Sequence, residues 1–390
     1  MIKINTNLFK NFKFIFAAFF LAALITTIQH TFFHESNNYK IFYNSLKHLL
    51  ANTSLYTSYP SEHFDYFLYS PSFPVIFSPF FLLPYKAGLF MWHLFFAAVW
   101  VVAVYKMPLS DTKKVFMYWF GFQELLTALG NSQTNPLIAA IPLFAFICFE
   151  KNKTIWAAFF IILGFEIKIY SLVTGALFLL YPKKGKLILA CIFWLIVFAL
   201  LPLLIVSPAE LIHQYALWFE RLVIRSESDK FGNVSIHRII HQTISENIST
   251  SAIIGGGVLV FCSVFIHIKA YVSEKFRMFL LASVLIFQII FSPASESATY
   301  ISAITGVAIW WLYAPKTALD YILVIGCFIL TVMGPTDFMP AYIKKNFIIP
   351  HVLKAWPCAL IWLRIIYLMH VEGLTYRADT EQPSVTVNYT

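Results

Sequence analysis

Long apolar runs, broken by short basic or proline-bearing turns, set the pattern of this chain. A run of roughly 15–25 apolar residues is long enough to cross a hydrocarbon core as a helix. Such runs recur near residues 14–33, 87–105, 115–130, 134–149, 154–168, 168–182, 187–206, 251–268, 278–292, 298–314, 317–333 and 347–369. The pattern predicts an all-α polytopic membrane protein with about 12 transmembrane helices. The first run, Phe14 to Phe33, is too long for the core of a cleaved signal and is expected as a signal-anchor helix. The stretch SPSFPVIFSPFFLLP, Ser70 to Pro84, is also apolar, but it carries prolines at 71, 74, 79 and 84. Each interior proline removes a helical hydrogen bond, so this stretch is expected as an interfacial or re-entrant element.

Composition agrees with the pattern. Of the residues, 59% are hydrophobic and only 12% charged, and the mean hydropathy is +0.72, outside the range of soluble globular domains. The net charge of +9 is spread through short turns without an aromatic-interleaved patch, which speaks against nucleic acid as a partner. Its placement instead orients the chain. Lys3, Lys10 and Lys13, then Lys106, Lys113 and Lys114, then Lys151 and Lys153, then Lys183, Lys184 and Lys186, then Lys269, Lys275 and Arg277, and finally Lys316 fall at every second turn. By the positive-inside rule that face is cytoplasmic. Two long loops, 34–86 and 207–250, then lie outside, and a single membrane domain spans 1–370, followed by a polar, non-periodic cytoplasmic tail at 371–390. Cys148, Cys191, Cys262, Cys327 and Cys358 sit singly in apolar segments, a distribution that suits neither disulfides nor zinc.

This topology gathers the unusual polar residues on one face. The first outer loop carries Glu35, Asn37, Asn38, Glu62, His63 and Asp65, and the turn GNSQTNP carries Asn131, Gln133 and Asn135. Lys168 falls at the outer end of its helix pair, two residues after Glu166. FGNVSIHRIIH contributes Asn233, Ser235, His237 and Arg238, and SPASESATY contributes Ser295 and Glu296. A charge inside an apolar chain is costly unless it faces protein, water or the interface. Glu166 is expected at the interface, because two residues on a helix separate it from the face of Lys168. Lys168 itself either snorkels to the headgroups or serves a site. Glu296, directly after a span, is expected to be buried near the site. His237 and His241 are four apart but lack a third ligand, so no metal is expected there.

The segments NNYKIFYNSLKHLLANTSLY, YSPSFPVIFSPFFLLP, GNSQTNPLIA, KIYSLVTGALFLLYPKK and GNVSIH, in this order and spacing, resemble successive motifs of glycosyltransferase family 87 over about residues 14–315. The resemblance implies a GT-C-like bundle with a long, catalytic first outer loop and a polyprenyl-phosphate-sugar donor. It also implies a lipid-linked or envelope-glycan acceptor, attacked on the outer face of the cytoplasmic membrane without a metal or other cofactor. Such enzymes use an aspartate early in the first outer loop as base. Here that position holds Asn38, in Asn38-Tyr39-Lys40-Ile41-Phe42, and an amide cannot take up the proton. Either Glu35, Asp65 or Glu296 takes the role, or the chain has lost or altered the reaction. The family's SP-x-SW-HH-like segment is changed as well, to Ser292-Pro293-Ala294-Ser295-Glu296-Ser297.

Chemistry fits this set. Transfer from a phospho-sugar needs a carboxylate to deprotonate the acceptor hydroxyl and a cation where phosphate charge develops. Lys168 suits the second role. Asn38, Asn131, Gln133, Asn135, Asn233, Ser235 and His237 are the candidates for holding substrate, although Asn135 before Pro136 equally suits a helix start. Two rival functions compete. A secondary transporter would show an internal repeat, and none is visible between the two halves. A polysaccharide polymerase or ligase would lean on outer-loop arginines, for which Arg221, Arg225 and Arg238 qualify.

Overall fold

A computed structural model describes residues 7–228 and 233–381. Lys3 and the end of the tail, 382–390, lie outside the described residues, as does the side chain of Arg225. The described chain is helical, without a strand. In order, the helices are α1 (Phe12–Phe32), α2 (Asn37–Leu50), α3 (Phe73–Ile76), α4 (Ser78–Phe81), α5 (Tyr85–Lys106), α6 (Asp111–Gly130), α7 (Asn135–Glu150) and α8 (Thr154–Ile167). A 3₁₀ segment, Ile169–Leu180, leads to α9 (Lys184–Leu200), α10 (Pro208–Ser228), α11 (Ile236–Thr243), α12 (Thr250–Cys262), α13 (Glu274–Ile290) and α14 (Ile301–Tyr313). The chain closes with α15 (Ala318–Gly326), the single turn α16 (Ala341–Ile343) and α17 (Trp356–Glu381).

Among the described residues four helices are long and apolar enough to cross a membrane: Phe12–Phe32, Tyr85–Lys106, Lys184–Leu204 and Trp356–Tyr376. Shorter apolar helices occupy Asn135–Glu150, Thr154–Ile167, Ile169–Leu180, Thr250–Ile266 and Ala318–Met333. The chain is an integral membrane protein. Ser70–Pro84 forms no long helix: its prolines confine it to α3 and α4, each four residues long with proline in the first turn, where the missing N–H costs nothing. Two expectations are corrected. Residues 349–355 are turns between a short π-helical stretch, Lys344–Ile348, and α17, which starts only at Trp356, with Pro357 in its first turn. Residues 371–381 continue that helix instead of forming a non-periodic tail. Glu372 ties them down by accepting from Ser273 at 2.8 Å and pairing with Lys275 at 3.0 Å.

The core centres on α13, where every residue from Met278 to Ile290 is buried. Two ion pairs lock outer elements onto the bundle. Lys354 Nζ donates to Glu124 of α6 at 2.7 and 3.0 Å, with 4% and 1% of the two side chains exposed. Arg364 of α17 donates to Asp320 at 2.9 Å, and Asp320 also closes a capping box with Thr317 at the start of α15.

The basic turns share one end of the bundle. Arg277 and Tyr181 both donate to Glu150, Lys113 lies 4.4 Å from the Tyr313 ring, and Tyr313 donates to Glu274 at 2.5 Å. The polar turns predicted to face outward meet at the other end.

Candidate functional site

At that other end an open cleft of about 970 Å³ lies among α2, the loop before α3, the α6–α7 turn, the start of the 3₁₀ segment, α10 and the turn after α13. Its polar lining is Asn38, Asp65, Gln133, Lys168 and Glu296, set among the rings of Phe42, Tyr66, Tyr69, Tyr170 and Trp218. Residues from six separate stretches of sequence thus meet in one place.

One hydrogen-bonded chain joins four of the predicted residues. Lys168 Nζ donates to Asn135 Oδ1 at 2.7 Å. Asn135 Nδ2 donates to Gln133 Oε1 at 2.8 Å, and Gln133 Nε2 donates to Glu296 Oε2 at 3.1 Å. The donors all run one way, from the ammonium towards the carboxylate, as a lysine without acceptors and a carboxylate without donors require. Asn135 is buried, Gln133 and Lys168 half-buried, and Glu296 exposed. The expected burial of Glu296 is therefore corrected: the carboxylate faces open space at the cleft.

The α6–α7 turn that holds Gln133 and Asn135 is pinned from outside. Ser132 sits at φ 50, an uncommon conformation for a residue with a Cβ. Its carbonyl accepts from Trp92 Nε1 at 2.9 Å, and its hydroxyl lies 2.9 Å from His93 Nε2. His93 Nδ1 lies 2.9 Å from Thr27 Oγ, and Thr27 already donates to Ala23. His93 therefore donates through Nδ1 and accepts from Ser132 through Nε2, a fixed neutral tautomer. His30 Nε2 donates to the Gly130 carbonyl at 2.8 Å, and Asn38 Nδ2 to that of Asn131 at 2.8 Å. Sequence reasoning missed His30, Trp92 and His93, because a polar residue in an apolar run shows no partner until the helices are packed.

Other predicted residues do different work. The side chain of Asn131 donates back to Thr127 at 2.9 Å and caps the end of α6. Asn233, Ser235 and His237 do not line the cleft but form a clasp behind it. Ser235 donates to Asn233 at 2.5 Å and caps α11. His237 Nε2 donates to the Phe291 carbonyl at 3.0 Å, and burial lowers the pKa of this imidazole, keeping it neutral. Val234 N–H donates to the Ser295 carbonyl at 2.8 Å, and Tyr300 hydroxyl to the Val234 carbonyl at 2.7 Å. The clasp thereby fixes the turn that carries Glu296. Losing a serine N-cap costs about 1 kcal/mol, so Ser235→Ala is expected to speed proteolytic cutting between α10 and α12 in solubilised protein while the bundle stays intact.

Glu35 is ion-paired with Lys40, stays largely solvated and does not line the cleft. Glu166 is buried, not interfacial: it is 2% exposed, with the hydroxyls of Ser70 and Ser72 beside its carboxylate. Asp65 lies on the loop between α2 and α3, where Oδ1 accepts from the Tyr66 N–H at 2.8 Å. That loop is held by α10, part of what the sequence marks only as the second outer loop. Trp218 Nε1 donates to the Leu68 carbonyl at 3.1 Å. Arg221 donates to the Tyr56 carbonyl at 3.0 Å and stacks 3.7 Å from the Tyr66 ring. Buried Gln214 bridges Thr53 and Leu55. His48 lies 3.1 Å from Glu62, and burial lowers its pKa against the pull of that carboxylate.

Apolar helices of membrane length, with a cleft at one end lined by a cation, amides, carboxylates and aromatic rings, define an integral membrane protein with a polar, ring-walled cleft. The family model of glycosyltransferase family 87 matches residues 67–293, more than half of the chain, and the chain belongs to that family. It is a membrane glycosyltransferase. The matched region holds Gln133, Asn135 and Lys168 and stops short of Asp65 and Glu296. No curated protein and no solved structure shows a match.

Proposed function

We propose that this chain moves a single sugar, a hexose such as mannose, from a polyprenyl-phosphate donor to a lipid-linked or envelope-glycan acceptor, with inversion. The reaction takes place on the outer face of the cytoplasmic membrane, within a GT-C-type bundle. The observation that carries this reading is the chain Lys168–Asn135–Gln133–Glu296, three of whose members, Lys168, Gln133 and Glu296, line the cleft. It offers the cleft a cation at one end, a carboxylate at the other and an amide between, the order that a phosphate, a sugar ring and an attacking hydroxyl need.

In the proposed step the acceptor oxygen bonds to the anomeric carbon as the bond from that carbon to the phosphate oxygen breaks. The hydroxyl proton passes to Glu296, and the polyprenyl phosphate leaves with its new charge beside Lys168. Electrostatic stabilisation of a leaving group in a sheltered site is often the largest catalytic contribution. Gln133 holds sugar hydroxyls, the buried Asn135 ties it to Lys168, and the rings of Tyr69, Tyr170 and Trp218 flank the sugar. Asn38, at the position where the resemblance implies an aspartate, spends its amide on the Asn131 carbonyl. Asp65 binds the acceptor at the rim. The basic turns at the far end of the bundle support the assignment of the cleft to the outer face.

The test is a transfer assay in membranes with radiolabelled polyprenyl-phosphate mannose. Wild type is expected to move label to lipid, and Lys168→Ala to lose roughly ten-fold or more in kcat/KM at equal protein level. No label moved by wild type would overturn the donor assignment, and an unimpaired Lys168→Ala would remove the cation from the mechanism.

A further inference from the structure

The segment after Lys168 is a 3₁₀ helix of 12 residues, whereas such helices seldom exceed three or four. With three residues per turn, side chains three apart stack in columns. One column, Ser171, Thr174, Leu177 and Leu180, is buried throughout. A second column, Ile169, Leu172, Gly175 and Phe178, faces outward. Ile169 lines the cleft beside Lys168, while Leu172, Gly175 and Phe178 line a separate, wholly apolar groove of about 630 Å³. The opposite wall of that groove is the exposed stripe Ile188, Ile192 and Leu195 of α9.

Cleft and groove are therefore two ends of one column of side chains. At a rise of about 2 Å per residue the column runs roughly 20 Å from Lys168 to Phe178, about two thirds of the thickness of a hydrocarbon core. Gly175 opens its middle: a Cβ built there meets only Ile161, at 3.8 Å. Another apolar groove, between α1 and α5 around Phe19, Ala98 and Tyr105, lies on helices that do not line the cleft, whereas the groove at Gly175 shares no residue with the cleft but is joined to it by the 3₁₀ segment.

We propose that the groove between the 3₁₀ segment and α9 is the track for the isoprenoid chain of the donor, entered from Lys168 and passing over Gly175. This rests on the polyprenyl-phosphate reading of the cleft. The cation at one end and the unbroken apolar lining at the other match a phosphate joined to a long hydrocarbon better than they match a free sugar nucleotide. A bulky side chain at position 175 would fill the track where a long chain must pass, and a donor with only two isoprene units would end before it.

The experiment compares a long-chain polyprenyl-phosphate mannose with its geranyl counterpart, using wild type, Gly175→Leu, Ile192→Trp on the opposite wall and Ala98→Leu in the unconnected groove. A parallel sample of each purified full-length protein in nanodiscs is photolabelled with polyprenyl phosphate carrying a chain-borne diazirine. Expected are a roughly ten-fold rise in KM for the long donor in Gly175→Leu and Ile192→Trp, unchanged kinetics with the geranyl donor, and no effect of Ala98→Leu. Label is expected on 172–195 and to fall in the two groove variants. Equal effects on both donors, or none, or label that excess phosphatidylglycerol displaces, would overturn the track. If wild type turns over neither donor, the donor reading falls, and the photolabel alone decides the track: label on 172–195 upholds it, and label elsewhere ends it.

Discussion

Glu296→Gln is expected to reduce kcat for sugar transfer by about 10²–10⁴, the range that general-base catalysis contributes, with donor KM nearly unchanged. The substitution keeps size and shape, and its amide oxygen still accepts from Gln133, so the chain to Lys168 survives. What disappears is the ability to hold a proton, which is needed only in the transition state, and such a loss falls on kcat. The clasp from Val234 and Tyr300 keeps the turn in place, so protein level and thermal stability serve as controls. Glu35→Gln is expected to be silent, because that carboxylate is spent on Lys40 away from the cleft. Asp65→Asn is expected to raise acceptor KM with a smaller change in kcat. The reverse split, a collapse of kcat in Asp65→Asn and an active Glu296→Gln, would move the base to the first outer loop.

Much of this arrangement was legible in the sequence, and the parts that were not share a cause. Apolar runs located the helices, because burial in lipid demands internally satisfied backbone. Prolines correctly excluded a long helix at Ser70–Pro84. Polar turns gathered on one face by topology brought Asn38, Asp65, Gln133, Lys168 and Glu296 into one cleft. Polarity alone did not say which turns bind and which fasten. Asn233, Ser235 and His237 look like ligand residues until the structure shows their partners to be one another and the backbone after α13. Helical geometry separates i from i+2 and points Glu166 away from Lys168 towards the interface, yet that rule gives only a direction around its own helix and not what packs there. The 3₁₀ winding after Lys168 leaves no mark of its own, because Ser171 and Thr174, polar and three apart in an apolar run, suit one face of an α-helix equally well.

The pairing hardest to foresee carries the second large prediction. Glu124 and Lys354 are 230 residues apart, each the lone charge of its surroundings, and nothing in either segment names the other. Lys354 lies on the irregular stretch before α17, so the pair fastens that stretch to α6, and its ammonium also sits 4.9 Å from the Tyr300 ring. Removing one partner of a buried ion pair leaves a charge without compensation and costs about 3–5 kcal/mol. Glu124→Ala is therefore expected to lower the thermal unfolding midpoint sharply in detergent, whereas the double replacement Glu124→Met with Lys354→Met should recover most of the loss, since an apolar pair of similar volume need not be less stable. Equal stability of Glu124→Ala and wild type would show that the pair holds nothing. Activity should follow stability only in part. The hydroxyl of Tyr300 fixes Val234, and Val234 fixes Ser295 beside Glu296, so a Tyr300 ring released from Lys354 loosens the turn that carries Glu296. The double variant, stable but without the ammonium over that ring, is expected to keep donor KM while losing several-fold in kcat, and a wild-type kcat there would confine the ion pair to a purely structural role.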